Sequence, residues 1–429
     1  MAEIRPLRAL RYNLEKAGPI ENLTCPPYDI ISPDQRRELL SRSGYNLIRL
    51  ELPQEGKNPY QEAAHTLNLW RSEGVLQLDM EEGMYLYEEE FLSQVDRGDC
   101  RSVLGLVCRV RLEDFANGVV LPHEETLSKA KEDRFQLLSA TRCNFSSIYS
   151  LYRDEGGLTR QRLLNLKNTC PPRYAFSDGL VTHRLWIVND PVAIAALQED
   201  FAGRKLYIAD GHHRYETALR YRDACQAENR YEPGAGYVMM MLADMEDPGL
   251  VVFPTHRLVR GLETFDEEEL LAACGEDFTL EQCQDRQESQ EKLLSLYEQG
   301  RHAFAFWAGK GWTVLTLKDP AVMDRLLPEK SQAYRRLDVS VLHSLVLEKF
   351  LRIDRENMAN QKNLTYTRDA AEAEDSVRRG ESQCCFLLNP TRVEEIGQVA
   401  AAGEKMPQKS TYFYPKLITG LVMNPLWIK

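Results

Sequence analysis

In the first half of the chain, segments with polar caps and helical spacing alternate with short runs rich in β-branched and aromatic residues. Ser32-Pro33-Asp34-Gln35 has the form of a capping box with proline at the first helical position. A short helix is predicted there, directly after the stiff loop Cys25-Pro26-Pro27-Tyr28-Asp29. A second helix opens at Asn58-Pro59, with Gln61 closing the box, and runs through Leu67, Leu69 and Trp70 to Gly74. MYLYEEEF (84–91) and RSVLGLVCRVRL (101–112) flank VDRGD and predict a hairpin that begins the central sheet. Over 126–142, Leu127, Ala130, Arg134, Leu137 and Leu138 fall at helical spacing, with Pro122-His123-Glu124-Glu125 at the N-terminal end. SSIYSLY (146–152) and HRLWIV (183–188) read as strands. The run Lys205–Ala209 stops at Asp210-Gly211, and Tyr215, Ala218, Leu219 and Arg222 then share a helical face, so the pattern is strand, tight turn, helix.

The texture changes near residue 260. A charged helix from Asp266, strands HAFAFWA and WTVLTLK, a helix around 336–352, strand LTYT, a helix, strand CCFLL and a last helix predict a second α+β domain. Domains at 1–260 and 261–429 are therefore expected, with no Ser/Gly-rich linker and no internal repeat to mark the boundary. The tail, 403–429, is too apolar to be a loose end.

Composition adds mostly exclusions. With 429 residues, 43% hydrophobic and 28% charged, the chain is globular and long enough for two or three cores. The net charge of −12 argues against non-specific binding to nucleic acid or an anionic membrane and leaves room for a local basic pocket. No run approaches a membrane span and the N-terminus has no apolar signal core, so a cytoplasmic location is expected. The ten cysteines form no CxxC or zinc-finger spacing, and Cys384-Cys385 reads as part of a buried strand.

Three clusters could carry chemistry. Asp210-Gly211-His212-His213-Arg214 stands at a strand-to-helix turn, where unpaired amides and the positive dipole end favour an anion. Gly211 permits close backbone approach, and His212, His213 and Arg214 add donors around a phosphate. The plain alternative is a capped helix with Asp210 as N-cap. His123-Glu124-Glu125-Thr126, followed by Lys129, Asp133 and Arg134, could hold a general base or a magnesium ligand, or be a charged capping turn with Glu125 and Lys129 paired. HEETL lacks the second histidine of a zinc protease. Gly403–Thr411 approaches a phosphate loop, but Gln408 replaces its second glycine and a strand-like segment follows; Lys405, Lys409 and Ser410 could still line an anion pocket. Cys25–Asp29 could brace Asp29 or its thiol, and Thr255-His256-Arg257 reads first as a structural turn. Dinucleotide, nucleophile-elbow and protein-kinase motifs are missing from the sequence.

CPPYDII, HEET, IADGHHRYETALRYR, PTHRLV, LDVSVLH and GEKMPQKSTYFYPKL together resemble the bacterial family known as domain of unknown function 1015, from Arg5 to the C-terminus. DGHHR before a helix is similar, more distantly, to the phosphate-binding turn of the ParB/sulfiredoxin superfamily, which includes free L-serine kinases, sulfiredoxin and chromosome-partitioning proteins. That resemblance implies an α+β fold with a ParB/sulfiredoxin-like mixed-sheet core over 1–260 and a second α+β domain. It also implies that Asp210, Gly211, His212, His213 and Arg214 bind the phosphates of ATP or ADP with Mg²⁺. His212 stands where sulfiredoxin has its cysteine, and the basic DNA-binding portion of the partitioning proteins is missing.

The expected activity is phosphoryl transfer to a small hydroxyl metabolite, with free L-serine first. Glu124 and Asp210 compete as base and as magnesium ligands, and His123 stands beside them. The three clusters are expected to share a pocket. A non-catalytic nucleotide-binding regulator and a metal-dependent hydrolase built on His123, Glu124, His212 and His213 are the alternatives.

Overall fold

The computed structural model describes residues 1–92, 99–124 and 128–428, without the side chains of 128–130 and 359. Glu125, Thr126, Leu127 and most of the VDRGD connection lie outside the described residues. The chain divides into two compact units: 1–122 with 126–251 and 415–429, and 123–125 with 252–414. The sequence boundary at 260 lies close to one break. The last fifteen residues, however, belong to the first unit, held there by backbone pairing that local sequence does not encode.

The first unit is built on a nine-stranded mixed sheet. Its strands are β1 (Ile4–Arg5), β2 (Met84–Leu92), β3 (Cys100–Arg111), β4 (Val120–Leu121), β5 (Ile148–Tyr152), β6 (Tyr174–Ser177), β7 (Val181–Val188), β8 (Leu206–Asp210) and β9 (Tyr237–Asp244). The order is β4-β8-β5-β9-β3-β2-β7-β6, with β1 also on β3. β8 runs parallel to β4, and β9 parallel to β5; the other pairs are antiparallel.

The helices follow the local signals. α1 (Pro33–Arg42) carries the Ser32/Gln35 capping box, and Asn58 caps α2 (Pro59–Ser72). α3 (Ser128–Thr141), α4 (Leu158–Lys167), α5 (Pro191–Phe201) and α6 (His212–Ala227) follow, and single-turn helices lie at Leu14–Ala17 and Ile48–Glu51. Leu163, Leu197, Phe201 and Tyr215 from these helices join Leu106, Ile148, Ile208 and Met240 of the sheet in one core. The tail is stitched into this unit: Thr419 exchanges backbone hydrogen bonds with Cys25, and Asn424-Pro425 pairs with Cys143-Asn144.

Burial of β2 takes two carboxylates into the sheet. Glu88 is met by Lys167, Arg184 and Ser102. Glu89 is fully buried and accepts the Tyr87 hydroxyl at 2.9 Å, with His183 Nδ1 3.8 Å away, while Tyr87 also bonds His183 Nδ1 at 2.7 Å. Burial raises the Glu89 carboxyl from 4.5 to about 7, against the opposing pull of His183 and Tyr87. Between pH 4.5 and about 7 the folded chain therefore holds a proton that the unfolded chain releases. Stability should fall as pH rises through that window and level off above it. Urea titrations from pH 4.5 to 8 should show this slope in the wild type and its loss in Glu89→Gln; equal slopes would contradict it.

The second unit has a six-stranded antiparallel sheet of β10 (His256–Val259), β11 (Phe278–Cys283), β12 (Ala303–Trp307), β13 (Trp312–Leu317), β14 (Leu364–Thr367) and β15 (Cys384–Leu387). The order is β11-β13-β12-β15-β10-β14. Both faces are covered, which is why HAFAFWA and CCFLL read as continuous apolar runs. Ala303, Ala305, Cys385 and Leu387 pack with Leu293 of α7 (Arg286–Glu298). Phe304, Phe306, Cys384 and Phe386 pack with Leu345 and Val346 of a π-helix, His343–Glu348. His256 and Arg257 are not the turn expected from sequence; they are buried residues of central strand β10.

Candidate functional site

Strand β8 delivers Asp210 through a bulge, since its register against β5 shifts between Ile208 and Asp210. Gly211 follows with φ +97° and is the N-cap of α6. As a glycine, the N-cap offers no capping side chain, and no acidic residue stands in the first turn. A Cβ at 211 would lie 2.8 Å from Arg214 Nη2, so both the backbone angle and the space require glycine. The N-cap position expected of Asp210 thus falls to Gly211, which releases the Asp210 carboxylate for other partners.

Those partners are two cations. Arg214 Nη2 donates to Asp210 Oδ2 at 2.9 Å, and Lys416 Nζ donates to Oδ1. The three side chains are only 10–16% exposed. Burial alone would raise the Asp210 carboxyl; Lys416 and then Arg214 outweigh it and hold the group well below the usual carboxylate range.

Two sequence expectations change here. With both oxygens taken and its proton affinity suppressed, Asp210 is neither a proton acceptor nor a metal ligand in this arrangement. Arg214 is not an outward phosphate donor: its side chain folds under Gly211, and Nη1 donates to the Ser147 carbonyl at 2.8 Å. The site's positive character survives through a different arrangement. Two cations meet one carboxylate at the start of a 16-residue helix, where the backbone dipole is positive. His212 and His213 form the first two positions of that helix, His212 buried and His213 half-buried.

Other groups gather behind the turn. Tyr28, from the proline-braced loop, lies within electrostatic reach of Asp29, Arg134, Arg214 and Asp210, and Arg134 stacks 4.0 Å from its ring centroid. Arg134 also donates to the Glu51 carbonyl at 2.8 Å. The buried Glu51 carboxylate accepts from Ser146, and burial raises its pKa despite Arg134 and Arg214. Glu51, Arg134, Ser146, Arg214 and Thr217 help line a cavity of about 50 Å³, large enough for ordered water. Sequence reading missed Glu51, which sits in an apolar segment without a motif. It also missed Lys416, although TYFYPKL contains that residue.

The second unit brings two other predicted clusters together. Met406 N–H donates to the His123 carbonyl at 2.7 Å, and Glu124 Oε1 accepts the Lys409 backbone N–H at 2.6 Å. His123 is fully buried, bonds Thr411 Oγ1 through Nε2 at 2.8 Å and sits edge-on to Phe413. It therefore holds this loop rather than facing a substrate. Lys409 takes a left-handed conformation, φ +57°, and Ser410 is buried with its hydroxyl on the Pro407 carbonyl. Lys405 lies on the same loop, half-buried.

Magnesium does not fit as a resident ion on these donors. Asp210 is occupied by cations and Glu124 Oε1 by an amide. Among the described residues no three His, Cys, Asp or Glu side chains converge as a metal site. Nor is any helix among them long and apolar enough to cross a membrane.

A mixed sheet carrying a strand–turn–helix at Asp210-Gly211, accompanied by a second α+β unit, defines the class of protein. The chain belongs to the family described as protein of unknown function (DUF1015), whose family model matches residues 4–340. No curated protein matches it. It is similar to a solved conserved hypothetical protein from Pyrococcus furiosus, with 15% identity over 72% of this chain and 90% of that chain, TM-score 0.34. It is similar to a free serine kinase in complex with AMP, with 14% identity over 75% and 91%, TM-score 0.39. Similarity also extends to C-terminally truncated SbnI from Staphylococcus aureus, with 12% identity over 75% and 87%, TM-score 0.37.

Proposed function

We propose that this protein binds a nucleotide through the Asp210–His213 turn and acts as a small-molecule phosphotransferase. ATP or ADP is the donor and a hydroxyl metabolite the acceptor, with free L-serine the first to test. The observation that carries the reading is the turn itself: the N-terminus of a long helix with glycine at its cap, where Lys416 and Arg214 share a single carboxylate. Such a site suits phosphate oxygens and leaves binding and charge neutralisation as its main work. The resemblance of DGHHR to the phosphate-binding turn of the ParB/sulfiredoxin superfamily points the same way.

In this proposal His212, His213 and the turn amides receive phosphate, and Arg214 and Lys416 fix the turn. No resident metal ion is assigned to the chain. The test is incubation with Mg-ATP or Mg-ADP and a panel of hydroxyl metabolites including L-serine, read by ³¹P NMR. A new phosphomonoester is expected.

One observation favours a second reading, a nucleotide-binding regulator without turnover: the turn's own carboxylate is locked by two cations and cannot serve as base. Nucleotide binding with no product across the panel would select that reading. The metal-dependent hydrolase is not retained, because His123 is buried on Thr411 and the described donors form no three-ligand group.

A further inference from the structure

The second unit contains a cavity of about 380 Å³ that none of the roles above uses. Its lining divides by exposure. Glu329, Glu348, Asp354 and Arg355 are exposed and form a rim of mixed charge, whereas His343, Tyr366 and Met358 are more deeply set. Asp354 is already spent capping the helix that begins at Arg355.

The deep end is polar and incompletely bonded. His343 is 5% exposed and its Nε2 has no hydrogen-bond partner; the Tyr366 hydroxyl is likewise buried without one. Buried polar atoms in this condition are costly unless a further group satisfies them. His343 also opens the π-helix, a local geometry found frequently at functional sites.

Behind Tyr366 lies Arg257, 1% exposed, with its guanidinium carbon 5.4 Å from the ring centroid. Its Nη atoms donate to the carbonyls of Thr255 and Lys409, Nε has no partner, and no carboxylate among the described residues is within ion-pair distance. Burial lowers its pKa to about 10, which leaves it charged at pH 7. Burial and then Arg257 push His343 well below its ordinary value, so the imidazole is neutral. Glu124 reaches Arg257 only through space, and a buried guanidinium whose hydrogen bonds go to carbonyls still favours a negative group brought close to it.

We propose that this cavity binds a small organic anion, a carboxylate or a phosphate ester, whose acidic group is received by the Tyr366 hydroxyl and His343 in front of the Arg257 guanidinium. The volume suits a metabolite rather than a bare ion. The proposal does not depend on the role given to the Asp210 turn.

The test uses the full chain labelled with ¹³Cε1-histidine, the His343 signal being assigned by its loss in His343→Gln. L-malate and glycerol 3-phosphate are the probes for the two anion chemistries. One or both should move the His343 signal saturably below about 10 mM, and the responding probe names the acidic group. Tyr366→Phe, which keeps the ring beside Arg257, should weaken that binding roughly tenfold. A His343 signal unmoved by both probes, shifts confined to other histidines, or unchanged affinity in Tyr366→Phe would overturn the proposal.

Discussion

Replacing Lys416 with methionine is expected to destabilise the first unit by about 3–5 kcal/mol, because it strips one cation from a carboxylate that is nearly closed to water. For a unit of this size the melting temperature should fall on the order of 10 °C at pH 7. The pH dependence identifies the cause. Asp210 is held below its ordinary value of 3.8, so its pairing contributes stability above that pH and loses it as pH falls toward the lowered value. The gap between wild type and Lys416→Met should therefore be widest near neutrality and narrow in acid. Calorimetry at pH 7 and at progressively lower pH reads both effects. Lys416→Arg should recover most of the loss, and an unchanged melting temperature in Lys416→Met would mean that the clamp contributes nothing.

Gly211→Ala should have the second large effect. At φ +97° an alanine is strained, and its Cβ would meet the Arg214 guanidinium at 2.8 Å. The guanidinium must then leave Ser147, Asp210 or both, which loosens the turn from its base. We expect a stability loss of about 1–3 kcal/mol and at least a roughly tenfold loss of ADP affinity, measured by thermal melting and calorimetric titration. ADP affinity within twofold of the wild type would show that turn geometry does not govern binding.

Local chemistry made much of this architecture legible. The Ser32/Gln35 box, the Asn58 cap, and the change of rhythm at Asp210 all produced the elements they predicted, because the signals and their partners lie within a few residues. Strand β11 was illegible for a physical reason. It is an edge strand whose four central residues are all exposed, so its burial does not alternate. Strand β10 was hidden because two of its four buried positions are His256 and Arg257, residues that read as a polar turn.

The candidate site was legible in its residues but not in their roles. DGHHR stands out as a motif, yet the charge state of Asp210 is set by Lys416, 206 positions away, and the orientation of Arg214 by the Ser147 carbonyl. The tail that brings Lys416 is held by pairing with Cys25 and Asn144, contacts that no periodicity encodes. The same limit applies to the cavity of the second unit. Its unpaired His343 and Tyr366 atoms become visible only when the sheet brings β14 beside β10 and the π-helix packs against it.

The most direct measurement is hydrogen–deuterium exchange with and without saturating ADP. Amides in the peptide that covers Asp210 to Tyr215 should exchange more slowly with ADP, and Gly211→Ala should abolish that protection at the same ADP concentration. Bound ADP with unchanged exchange across this peptide would contradict the account.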